Sequence, residues 1–391
     1  PSSAASDVYK RQGRWFWRVR VKGGRWSEVR SFVIRKRKAA AKGFRPSPER
    51  PLFVAYADND PGNVARNWSA LPEDLRPFCA LRIHAMRGAD HALQIADAAG
   101  KVGARIVLAV YPANPATPFV PLPVVEEIFG RHPEVLGAFL AEFYAGYSDK
   151  QAQFFARLLS LCHRYGKLLL YADHHYPVNR WLEAGARENF VKALTKHPES
   201  AVLIWKTNSP YTQHLVQSCV LGFWLSGLCG AWGVEPENWF WAASKFGRNL
   251  EIPPAIYGPL VLLGAMGGAT VFVVEGPWLV KGKFVGPEGA MEDVIFPLFR
   301  RIVKWRLIPS RGEVLEVARL AYLASPSDVR SPDEDPKTHW WRLRALFDAV
   351  YKLEWPDQLV PRCSGRLLSV LPALCPREAV KSLRAKRVEI L

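Results

Sequence analysis

Two carboxylates stand where a catalytic pair would. The run Val135-Leu136-Gly137-Ala138-Phe139-Leu140-Ala141 is short and apolar, as a strand covered on both faces is. It ends in Glu142, with Phe143 and Tyr144 directly behind. A second run, Ala269-Thr270-Val271-Phe272-Val273-Val274, ends in Glu275 with Trp278 close by. Carboxyls paired beside aromatics fit glycoside hydrolysis, where one group protonates the leaving oxygen and another activates water or attacks the sugar. The ordinary reading of either Glu alone is a helix cap or a surface ion pair.

Other strand ends are chemically rich. One reads Tyr171-Ala172-Asp173-His174-His175-Tyr176, another Trp205-Lys206-Thr207-Asn208, a third Trp232-Gly233-Val234-Glu235, and His84 ends a fourth. Sugar recognition needs polar forks for hydroxyls and flat apolar faces for the CH side of a ring. The glycan-binding candidates are therefore His84, Tyr144, Asp173, His174, Trp205, Lys206, Asn208, Trp232 and Trp278. Each has a plainer alternative. Neighbouring His residues on a strand face opposite ways, so Asp173, His174 and His175 do not call for one metal. Lys206 fits a Schiff-base lysine or a partner that holds Glu142 or Glu275 ionised. Each Trp alone also suits the core. No metal site and no cofactor is expected: no glycine-rich dinucleotide or phosphate loop follows any strand, and no nucleophile elbow is present.

The elements that must position these residues alternate between strand and helix patterns. Strands are expected at residues 51–57, 80–85, 104–111, 135–141, 167–175, 201–208, within 222–233 and at 269–275, with helices over 89–100 and 149–165. Eight such strands predict an α/β fold, a (β/α)8 TIM barrel over residues 51–310; an open doubly wound sheet is the runner-up. A long helix should run from Gly289 to Leu307, kinked at Pro297. Residues 311–391 form a short α+β appendage.

The N-terminal fifty residues differ in kind. Residues 1–12, PSSAASDVYKRQ, read as translated adapter sequence joined to an incomplete reading frame. Residues 13–36 alternate as a strand pair around Gly23-Gly24 and resemble the closing strands of a fibronectin-III-like sandwich. Residues 37–50 are basic and proline-bearing, a linker. Of a net charge of +17, these fifty residues carry +12, from 15 Lys or Arg against 3 Asp or Glu. The basic residues thus precede the aromatic-rich body rather than line it, which argues against nucleic-acid binding. No apolar run reaches membrane-spanning length. The six cysteines form no C-x-x-C pair; a Cys363–Cys375 disulfide is compatible with the sequence, but no feature of it supports that pairing.

From about Pro51 to about Val370 the chain resembles glycoside hydrolase family 98. The likeness rests on Leu71-Pro72-Glu73-Asp74-Leu75-Arg76-Pro77 with Arg82-Ile83-His84, then Glu142-Phe143-Tyr144 and Trp205-Lys206-Thr207-Asn208. It continues through Gly222-Phe223-Trp224-Leu225-Ser226-Gly227-Leu228 into Trp232-Gly233-Val234, then Gly258-Pro259-Leu260 and Leu307-Ile308-Pro309-Ser310-Arg311. The resemblance implies an inverting, endo-acting hydrolase of β-glycosidic bonds in complex glycans or plant polysaccharides, of the endo-β-galactosidase or endo-xylanase type. It also implies a secreted, periplasmic or cell-surface protein. Glu142 would be the general acid and Glu275 part of the base machinery. The family carries an Asp where this chain has Cys229-Gly230-Ala231-Trp232, so Glu235, Asp173 or Glu275 alone must serve. A catalytically impaired glycan-binding barrel is the alternative. Oligomeric state is not readable here.

Overall fold

The computed structural model describes residues 13–17, 30–34, 43–111, 120–143, 149–173, 184–207, 213–236, 253–323, 368–371 and 375–390. The chain divides into two compact units, Pro1–Lys42 and Gly43–Leu391. In the first, Gly13–Trp17 pairs antiparallel with Arg30–Ile34, Trp15 opposite Phe32.

The second unit is a closed barrel. Its strands are β1 (Leu52–Ala57), β2 (Cys79–His84), β3 (Ile106–Tyr111), β4 (Val135–Ala141), β5 (Leu168–Asp173), β6 (Ala201–Lys206), β7 (Ala231–Glu235) and β8 (Val271–Val280). They run parallel in sequence order, and β8 pairs with both β1 and β7, which shuts the ring. Helices α1 (Val64–Ala70), α2 (Ala89–Val102), α3 (Leu122–Arg131), α4 (Asp149–Arg164), α5 (Ala184–Lys196), α6 (Gln213–Leu225), α7 (Pro254–Met266) and α8 (Phe296–Trp305) follow the strands in turn. This is the expected (β/α)8 arrangement rather than the open sheet.

Side-chain alternation splits the core into two layers. Leu52, Val54, Ala80, Val107, Phe139, Leu170, Val202, Ile204, Val271 and Val273 fill the barrel, and Phe44 packs on that inner cluster. Phe53, Leu81, Leu108, Leu140, Leu203 and Val234 face the helices. The seam where β7 meets β8 needs a residue without a side chain: a Cβ on Gly233 would lie 2.5 Å from the Val271 carbonyl oxygen.

Two expectations change. The seventh strand is Ala231–Glu235, while residues 213–225 form α6. That helix packs on β6 and β7 and on the appended strand Leu368–Leu371, so its apolar residues are not confined to the one-sided stripe that marks a surface helix. The helix after Gly289 is not kinked in its middle. A π-helical turn, Ala290–Ile295, precedes α8, and Pro297 sits in the first turn, where its missing N–H costs nothing.

A hairpin strand, β9 (Lys283–Val285), extends β8. The appendage holds α9 (Arg311–Val317), opened by a Ser310–Glu313 capping box, and α10 (Arg377–Ala385). It also holds a parallel three-stranded sheet of Leu320–Leu323, Leu368–Leu371 and Glu389–Ile390. Residues 325–337 and 339–353, read from sequence as a loop and a helix, lie outside the described residues. So does Cys363, and Cys375 is a free thiol rather than half of a disulfide. No described helix is long and apolar enough to cross a membrane.

Gly233→Ala should lower stability by about 1–3 kcal/mol or more, because backbone must move at the closing seam. A denaturant midpoint unchanged from the parent would show that the seam tolerates a methyl group.

Candidate active site

Alternation along β2, β6, β7 and β8 aims Arg82, His84, Lys206, Glu235 and Glu275 into the barrel, on the parity of the inner layer. All lie toward the carboxyl ends of their strands, the end at which barrels of this kind carry their sites. Glu142 arrives differently. It follows Ala141, which already faces inward, so an extended chain would turn Glu142 toward the helices. Its φ of 48° breaks the alternation. This left-handed conformation is unfavourable for a residue with a Cβ. It brings the carboxylate to Lys206 Nζ, 2.5 Å from Oε1, while the Glu142 N–H donates to the Ala172 carbonyl at 2.8 Å. Glu142 remains 21% exposed, open to the cleft.

Beneath it lies a buried ionic pair. Arg82 Nη1 donates to Glu235 Oε1 at 2.7 Å, with the side chains 2% and 1% exposed. The guanidinium is stacked between the rings of Tyr56 (4.1 Å to centroid) and Phe139 (3.7 Å). The Tyr56 hydroxyl donates to the same Glu235 oxygen. Burial pushes the Tyr56 phenol well above its usual range, so it stays a donor. Glu235 Oε2 and Arg82 Nε are buried with no partner.

Glu275 completes the cluster. Its backbone is pinned twice: its N–H donates to the Pro236 carbonyl at 3.1 Å, and the Tyr257 hydroxyl donates to its carbonyl at 2.9 Å. The β8–β1 register then breaks between Val274 and Leu279, which frees the Glu275–Trp278 segment from the ladder. Burial raises the Glu275 carboxyl from an ordinary 4.5 to about 7; Lys206 and Arg82 pull it down, while Glu235 and Glu142 push it up. These interactions put all five charged groups around one pocket.

Of the remaining sequence candidates, His84 and Trp278 join the site. The Trp278 ring meets Tyr56 edge-on at 4.9 Å, and the His84 ring lies 6.2 Å from Tyr56. Burial, then Arg82, holds His84 down at about 3, so its imidazole is neutral. Trp205 and Trp232 are different: both are fully buried in the helix-facing layer, where no sugar can stack on them. Asp173 is also buried and accepts from the Tyr171 hydroxyl at 2.5 Å, a ring that packs with Phe155 and Phe190 under the helices. Tyr144, His174 and Asn208 lie outside the described residues. Sequence reasoning passed over Tyr56 and gave Arg82 no role. An Arg inside the apolar strand Cys79–His84 was the available signal, since a buried guanidinium requires a carboxylate.

A parallel barrel whose carboxyl rim gathers three carboxyls, a lysine and an arginine is an architecture of glycoside hydrolases. The model of glycosyl hydrolase family 98 matches residues 45–308, and the chain belongs to that family. It is 21% identical over 315 residues to a blood-group-substance endo-1,4-beta-galactosidase of Clostridium perfringens, covering 68% of this chain and 39% of that relative's length. The catalytic module of a family 98 glycoside hydrolase from Streptococcus pneumoniae TIGR4 superposes with a TM-score of 0.73 at 20% identity, covering 90% of this chain and 67% of that one. The same module in complex with the LewisY pentasaccharide blood group antigen superposes with a TM-score of 0.70.

Arg82→Met should cost about 3–5 kcal/mol, because it strands the Glu235 charge in the core. Adding Glu235→Leu should recover much of that loss. A denaturation series in which the double variant is no more stable than Arg82→Met would argue against the pair as the element holding this pocket.

Proposed function

We propose that the protein is an endo-acting glycoside hydrolase that cleaves a β-glycosidic bond in a complex, galactose-containing glycan. The observation that carries this is the convergence of Glu142, Glu235 and Glu275 on Lys206 and Arg82 at the carboxyl rim. The Clostridium relative is named for cleavage of blood-group substance, and the pneumococcal module was solved with a blood-group oligosaccharide. Those names support the substrate class. Glycans of that kind sit outside cells, so the protein would act as a secreted or surface enzyme.

In this reading Glu142, on the open side of the cleft, protonates the glycosidic oxygen. Glu275 takes the proton from the attacking water. A carboxylate is a stronger base when its conjugate acid is weaker, and a value near 7 suits a base that works near neutrality. Glu235 stands beside it, held by Arg82 and Tyr56, and fills the place of the family's Asp. Attack by a water from the face opposite the leaving group gives inversion at the anomeric carbon. Tyr56 and Trp278 offer the apolar wall, and His84 a neutral polar group.

One observation favours the reverse assignment. An ammonium at 2.5 Å favours ionised Glu142, whereas Glu275 keeps its proton to about 7. Glu275 would then be the acid and Glu142 the base. The pH dependence separates the two. If Glu275 is the base, kcat/KM rises with pH through about 7; if it is the acid, kcat/KM falls there. Linkage adds a second readout. The folded state favours protonated Glu275, so its stabilising contribution is present below about 4.5 and is lost as pH climbs through about 7. Glu275→Gln should flatten that slope.

Glu142→Gln should reduce turnover by about 10²–10⁴-fold while glycan affinity changes little. Reducing-end release from galactose-containing glycans and from xylans measures the first, and calorimetric titration the second. Binding by the parent protein without any release would instead favour a glycan-binding barrel.

A further inference from the structure

At the opposite end of the barrel, a second cluster of chemically capable side chains has no part in the site above. His163 ends α4, and His197 follows α5. Glu199 lies in the 3-10 turn Pro198–Ser200 that enters β6. Each offers one donor atom, and the three atoms lie within 4.8 Å of one another. This face is separated from Lys206 by the whole length of β6, about five rises of ~3.3 Å.

We propose that His163, His197 and Glu199 form a site for a zinc-class divalent transition-metal ion that staples the end of α4 to the turn entering β6. Two imidazoles and one carboxylate are a borderline donor set, suited to Zn²⁺, Co²⁺ or Ni²⁺ rather than to Mg²⁺ or Ca²⁺. Three protein ligands leave one tetrahedral position for water.

Independent features point the same way. His197 is only 8% exposed, and its Nδ1 is buried with no hydrogen-bond partner. A buried ring nitrogen left unpaired is costly, and a metal ion satisfies it. His163 Nδ1 already contacts Glu199 Oε1; its imidazole stacks on that of His197 at 4.2 Å, so it must swing out of that stack before both ring nitrogens converge on one ion. The His163 ring is 48% exposed, so it has room to turn its nitrogen toward a shared ion. The carbonyl end of a helix also favours a cation.

The turn that carries His197 and Glu199 is braced in advance. Gly230 N–H donates to the Pro198 carbonyl at 2.6 Å, and Ser200 N–H donates to the His197 carbonyl at 3.2 Å. A Cβ on Gly230 would lie 2.9 Å from the Glu199 Cα, so only glycine lets β7 approach this closely. Arg45 feels the Glu199 charge, yet its guanidinium donates to the Gly166 carbonyl and more weakly to Ser200 Oγ, which leaves the carboxylate for an ion.

The test uses the full chain, free of any affinity tag and stripped with a chelator. Calorimetric titration with Zn²⁺ should show one saturable site, and Mg²⁺ should show none. His163→Ala and Glu199→Gln, both at half-exposed positions, should each weaken Zn²⁺ binding at least tenfold and abolish the Zn²⁺-dependent rise in Tm, with the metal-free Tm unchanged. Absence of saturable Zn²⁺ binding, or parental affinity in either variant, would overturn the proposal.

Discussion

The pocket depends on the buried pairing of Arg82 with Glu235. Neither charge could stay in the barrel alone, since an isolated ion in a medium of low polarity costs several kcal/mol even after relaxation. Together, with Tyr56 and Phe139 sandwiching the guanidinium, they form a floor that is nearly neutral and sterically fixed. Everything above inherits its charge balance from that floor. Among the described residues, three carboxyls face two cations. Arg82 goes to Glu235 and Lys206 to Glu142; Glu275 is buried and has only shared counter-charge, and burial first of all makes it keep its proton to about 7.

The barrel supplies the frame in which this balance is possible. Eight parallel strands aim alternate side chains at one axis, and their carboxyl ends bring groups far apart in the chain within reach of each other. The closing seam is tight enough to demand Gly233. At the rim, regularity gives way where the chemistry sits. Glu142 takes a left-handed backbone, and the Glu275–Trp278 segment leaves the β8–β1 ladder. Such departures persist only where surrounding structure over-determines them, and here hydrogen bonds to the Ala172 and Pro236 carbonyls and from the Tyr257 hydroxyl do so.

The aromatic residues divide according to the same geometry. Tyr56 and Trp278 share an edge-to-face contact beside the charged cluster. Trp205 and Trp232 lie on the opposite parity to Lys206 and Glu235 of their own strands, fully buried in the outer, helix-facing layer. Being a large flat ring near a strand end is therefore insufficient for ligand contact; parity along the strand decides which solvent the ring meets.

Much of this was legible from residues alone. Short continuous apolar runs alternating with helical patterns point to a parallel α/β sheet, with eight of them favouring a barrel, and the pairing of β8 with both β1 and β7 excludes the open sheet. Glu275 could be placed inward from Val271 and Val273 by counting in twos, and Lys206 could be named as a carboxylate's partner. The seventh strand was misplaced, because the apolar residues of α6 are not confined to one stripe and carry no clear periodic signal. What only tertiary structure decided is non-local: that Lys206 goes to Glu142, that Arg82 reaches Glu235 across 153 positions, and that Glu142 turns inward against its strand's alternation. A sequence records which groups are available. Distances, shared counter-charge and a single left-handed residue arise only when the ring closes.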